Sequence, residues 1–85
     1  MSHKISPEVM EKAEAPEGKH REIPVIVTLA PGADPATLES KGIIIRRIME
    51  NIPAIAGTVT GAAVSELAQL DEVERVELDG EMHAL

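Results

Sequence analysis

Between residues 22 and 30 the apolar side chains Ile23, Val25, Val27 and Leu29 fall on one parity. Alternation of this kind puts them on one face of an extended strand. Pro24 has no N–H to give to a ladder, so it marks either a sheet edge or the start of the strand. Pro31-Gly32 ends the pattern. Asp34-Pro35 opens a helix, because Asp caps free N–H groups and Pro needs no donor at the first helical position. Gly42 fits the left-handed residue that closes it after about two turns, with Leu38 as the main apolar contact. Ile43-Ile44-Ile45 starts a second strand running to about Ile52, since consecutive β-branched residues are stiff in a helix and pack well in a sheet. Asn51-Ile52-Pro53 is a turn into a third strand over 54–59. Gly57 inside that strand signals the close approach of another backbone, or a bulge. Thr60 caps a helix over 61–70 with Ala63, Val64, Leu67 and Leu70 on one face. Residues 73–78 alternate apolar and charged side chains, giving a fourth strand, and 79–85 form a short extension without helical pattern.

The order is β-α-β-β-α-β. Right-handed crossovers for its two halves predict an α+β, ferredoxin-like fold: a four-stranded antiparallel sheet with two helices on one face. The other sheet face is left open as a candidate binding surface. Residues 1–20 are expected to be a flexible N-terminal tail, being charged and poor in periodic apolar positions. They can form a short helix over 7–15, with Ser6 as cap and Pro7 at its first position. Its apolar residues, Val9, Met10 and Ala13, are too few to predict firm docking. Residues 21–79 form the folded domain and 80–85 a C-terminal tail.

Composition narrows the function classes. Eighty-five residues make one small domain, and 44% hydrophobic residues are enough for a core. That core is wholly aliphatic, because Phe, Trp and Tyr are absent. With no cysteine there is neither a disulfide framework nor a thiolate metal site. A formal charge of −7 argues against nucleic acid or an anionic membrane as partner. The opening residues lack an apolar signal core, and a cytoplasmic location is expected. His3, His20 and His83 are too scattered to converge on a metal. There is no nucleophile elbow, phosphate loop or zinc-binding helix motif. Ser40 and Ser65 read as surface residues within helices, and Asp71, Glu72 and Glu74 as a solvated turn. Arg46-Arg47 is the only basic pair, balancing Glu50 or lying on the outer face of the sheet. The chain is therefore expected to be no enzyme and to carry no cofactor.

The last third is more specific. Ala63-Val64-Ser65-Glu66-Leu67, the run Val73-Glu74-Arg75-Val76-Glu77-Leu78-Asp79 and the ending Met82-His83-Ala84-Leu85 occur in order and without a gap. Together with Ile52-Pro53-Ala54 they resemble the propeptides of subtilisin-like serine proteases and the free-standing inhibitors grouped with them. The resemblance covers residues 22–85. The run from Val73 looks like that family's V-x-x-V-E-x-D strand, Ile52-Pro53-Ala54 its turn into strand three, and Ala63–Leu67 its second helix.

The resemblance implies an inhibitor that binds its protease through the open sheet and lays its C-terminal tail, product-like, in the active-site cleft. Met82, His83, Ala84 and Leu85 would be the cleft-binding residues, with Leu85 in the primary specificity pocket, Met82 in a second apolar pocket and His83 pointing outward. Extended binding of this kind draws on main-chain hydrogen bonds and alternate side-chain pockets. Glu77 and Asp79 match the family's two acidic residues that cap surface helices of the protease, where free N–H groups and a positive dipole end favour carboxylates. A folding-chaperone role for the protease is also implied, acting in trans. The chain departs from the family in having no aromatics: Leu85 and Met49 stand where the family often has them, and Gly80 replaces a bulkier residue. The expected partner is a subtilisin-like serine protease, and the free protein is expected to be a monomer. The competing reading is a small-molecule regulatory module of the same topology that binds an amino acid at Pro31-Gly32-Ala33-Asp34.

Overall fold

The computed structural model describes residues 4–15 and 21–79. The elements are α1 (Pro7–Glu14), β1 (Glu22–Leu29), α2 (Pro35–Glu39), β2 (Ile44–Ile48), β3 (Ala54–Thr60), α3 (Gly61–Ala68) and β4 (Val73–Leu78). The fold is α+β, with one four-stranded sheet in the order β2-β3-β1-β4 and three helices among the described residues. The three strand pairings are all antiparallel.

The period-two pattern of β1 does what alternation requires. Ile23, Val25, Val27 and Leu29 are buried, while Pro24, Ile26 and Thr28 are half-buried on the other side. The buried parity meets Ile55 and Val59 of β3, Val73 and Val76 of β4, Ile43, and Val9, Leu38, Val64 and Leu67 from the three helices. All three helices therefore cover one face of the sheet. β1 lies between β3 and β4, so Pro24 marks the start of a strand and not a sheet edge. Its carbonyl supplies the pairing that its nitrogen cannot, accepting from the Asp79 N–H at 3.0 Å.

The three helix starts read from the sequence, at Ser6, Asp34 and Thr60, are present. Asp34 Oδ1 accepts from the Ala36 N–H at 3.0 Å, and Thr60 Oγ1 accepts from the Ala63 N–H at 3.4 Å. Gly42 has φ 103°, the left-handed residue expected after α2, although α2 itself has only five residues. β2 is also shorter than expected, ending at Ile48. The Met49 N–H donates to the Ala54 carbonyl at 3.0 Å, and the Ala54 N–H donates to that of Ile52 at 2.8 Å, so the connection to β3 begins directly after Ile48.

The Gly57 signal is accounted for twice. The pairing register jumps from Ile45↔Gly57 to Arg47↔Ala56, leaving Arg46 as the extra residue of a bulge in β2. Bent in this way, the β2 backbone passes so close that a Cβ on Gly57 would lie 3.1 Å from the Ile44 carbonyl carbon and 3.2 Å from Ile45 Cα.

The N-terminal segment differs from the expectation that its few apolar residues would not dock. Ser6 caps α1 through its hydroxyl, and Val9 is fully buried in the common core. Ahead of the helix, Ile5 forms a parallel bridge with Val76. The Ser6 N–H donates to the Val76 carbonyl at 2.9 Å, the Val76 N–H to the Lys4 carbonyl at 2.6 Å, and Lys4 Nζ to the Leu70 carbonyl at 2.7 Å. Val9 is joined by Ile5 and Ala13, which pack against the core half-buried, and backbone hydrogen bonds along the outer edge of β4 hold the segment as well.

Candidate functional site

The face of the sheet away from the helices is organised in rows set by register. Across the middle run Arg47, Ala56, Ile26 and Glu77, one from each strand. Beside this row, Ile44 of β2 pairs with Thr58 of β3, which pairs with Pro24 of β1. On the other side, Ala54 pairs with Thr28, which pairs with Arg75. The two central strands thus contribute small or aliphatic side chains, and the charges sit on the two outer strands. An apolar centre with a polar rim is the anatomy of a protein-binding patch.

The patch is closely packed. Ala54, Ala56 and Thr58 are only 3%, 6% and 4% exposed. The Thr58 hydroxyl is buried without a hydrogen-bond partner among the described residues. This is an energetically unfavourable position for a polar atom.

Of the acidic pair singled out from the sequence, Glu77 lies on this face, exposed, with its carboxylate 3.9 Å from the Arg75 guanidinium. That contact is solvent-screened and weak, so Glu77 can exchange it for another partner at little cost. Asp79 lies just past β4 and is buried at 7% exposure, with its N–H on Pro24. The two residues are thus near one another but differ in access, a distinction invisible in the spacing V-x-x-V-E-x-D. Gly80 and the tail residues Met82, His83, Ala84 and Leu85 lie outside the described residues.

The alternative ligand site is a turn that borders a groove of about 370 Å³, lined by Ala30, Gly32, Ala33 and Pro35 on one side and by residues 48–55 on the other. Gly32 has φ 83° and the Ala33 N–H donates to the Ala30 carbonyl at 3.0 Å, so this stretch is a turn. The Asp34 carboxylate already caps α2. Two further grooves, of about 490 Å³ each, lie elsewhere, one between α1 and α3 and the other along α1 beside Arg21 and Leu78. Among the described residues no three His, Cys, Asp or Glu side chains converge as metal ligands, and no helix is long and apolar enough to cross a membrane.

The sequence pointed to Glu77 and Asp79 but not to the central strip of Ile26, Ala56 and Thr58. Its signal was present as the second parity of β1, namely Pro24, Ile26 and Thr28, which is unusually apolar for a solvated sheet face. Comparison with models of protein families and with curated proteins finds no match to this chain.

Proposed function

We propose that this chain is a non-catalytic inhibitor of subtilisin-like serine proteases with a ferredoxin-like arrangement in its β1–β4 portion. The strand order, with β1 and β3 inside and each crossover passing over one strand, supports that arrangement. The observation that carries the functional reading is the open face itself. Its apolar central strip and charged outer strands form a ready-made platform, and β4 runs along that platform toward the C-terminal residues.

In this mechanism the open face docks on the protease surface, with Glu77 meeting a helix N-terminus of the protease. Asp79, being buried, suits direct capping less well than Glu77 and serves better to fasten the end of β4 to β1. Residues 80–85 then extend from that fixed point. Met82–Leu85 enters the substrate cleft as an added strand, with Leu85 in the primary pocket. Burial of the Leu85 side chain contributes about 1.5–3 kcal/mol. The platform raises the effective concentration of the tail at the cleft. A chaperone role would use the same platform, holding the two helices of the protease together while it folds.

The test is a dose-response against a subtilisin with a small chromogenic peptide. The full chain inhibits, and deletion of Met82–Leu85 removes inhibition while the amide NMR spectrum of the domain is kept. Retained potency in the truncated chain, or no inhibition by the full one, rejects the reading. Glu77→Ala is expected to act chiefly by speeding dissociation.

A further inference from the structure

The two edges of the sheet are treated differently. The outer edge of β4 is covered at Val76 by backbone hydrogen bonds from Lys4 and Ser6. The outer edge of β2 pairs with none of the described residues. Unpaired N–H and C=O groups along an edge are a template for another strand. The side chains around this edge are unusual for the molecule. Ile44, Ile48 and Ile52 are 53%, 58% and 56% exposed, and they are three of the four large exposed hydrophobic side chains among the described residues. Between them Arg46 and Arg47 are exposed, and neither makes an ion pair with a described carboxylate. An unpaired double arginine set among exposed isoleucines, in a chain of formal charge −7, is a local reversal of sign.

We propose that the outer edge of β2 is a second protein-binding surface, which takes an extended acidic segment of a partner as a fifth strand. Main-chain hydrogen bonds supply affinity in this mode. Carboxylates on the open-face side, opposite Arg47, and aliphatic side chains on the other side, opposite Ile48, supply selectivity, since cross-strand pairs of opposite charge attract and like charges repel. Charge decides against a second copy as the occupant. Antiparallel pairing of β2 with itself about its midpoint sets Arg46 against Arg46, and each chain brings its own net negative charge. The bulge at Arg46 turns the edge and limits how long a strand it accepts, so the favoured segment is short.

The experiment titrates the isotope-labelled full chain with a short synthetic peptide alternating Val and Glu, blocked at both ends, and follows amide shifts by NMR. Saturable shifts concentrated on residues 44–48 are expected, with binding that weakens as salt rises. Arg46→Glu with Arg47→Glu is expected to weaken binding about tenfold. A matched peptide carrying Lys in place of Glu is expected not to bind. If the double variant changes its own spectrum, Arg47→Gln and the salt series make the same comparison. The proposal is overturned by any of four results. These are no shifts up to the solubility limit of the peptide, equal binding of the Lys peptide, shifts centred away from β2, or sedimentation showing that the protein pairs with itself through this edge.

Discussion

Gly57→Ala tests whether the bulged β2 backbone sits where the register places it. The added Cβ would come closest to the Ile44 carbonyl oxygen, with the Ile44 carbonyl carbon at 3.1 Å and Ile45 Cα at 3.2 Å. Carbon–carbon contacts are comfortable at about 3.5–4.0 Å, so the two carbons alone require β2 to retreat by several tenths of an ångström, and the carbonyl oxygen requires more. The obstruction is backbone, so no rotamer change relieves it. Overpacking of this kind costs about 1–3 kcal/mol. Against this, Gly57 has no positive φ, and replacing Gly by Ala at a compatible φ returns about 0.4–1 kcal/mol through the unfolded chain. The net expectation is a loss of about 1–2 kcal/mol, or a fall in Tm of about 5–15 °C for a domain of this size. Urea unfolding must be followed by far-UV circular dichroism, because the chain has no Trp, Tyr or Phe to report. Gly32→Ala is the control: at φ 83° with nothing within 4 Å of the added Cβ, it carries left-handed strain without a clash. A Gly57→Ala midpoint equal to or above the parent would show that β2 does not cross β3 in this way.

Thr58→Val removes the buried hydroxyl that has no partner and should raise stability by about 1 kcal/mol, seen as a higher urea midpoint; a clear loss would mean that the hydroxyl is bonded. Val9→Ala should cost about 1.5–3 kcal/mol despite lying in the segment read as a tail, because Val9 is fully buried against the sheet. An effect within the scatter of surface substitutions would detach α1 from the core. Truncation of Met82–Leu85 and the peptide titration at β2 test the two binding surfaces separately, one by protease inhibition and the other by amide shifts.

The sequence by itself held the signals for the strands and for the three described helices and their caps, because these are local matters. Alternation in β1 and β4, Asp34-Pro35, Thr60 and Gly42 each answer to the backbone within a few residues. It also held the hint at Gly57, since a bare Cα in a β-rich run has few explanations. Register was decided only by the tertiary structure. Pairing Ile26 with both Ala56 and Glu77 is what makes an apolar strip with charged margins, and no window of consecutive residues contains that row. The docking of α1 was likewise out of reach, since Val9, the half-buried Ile5 and Ala13 and a few backbone bonds at the edge of β4 hold it, and that edge exists only once the sheet has formed. Access was tertiary too: Glu77 and Asp79 are the same kind of side chain two residues apart, yet the end of β4 turns one to solvent and folds the other against β1.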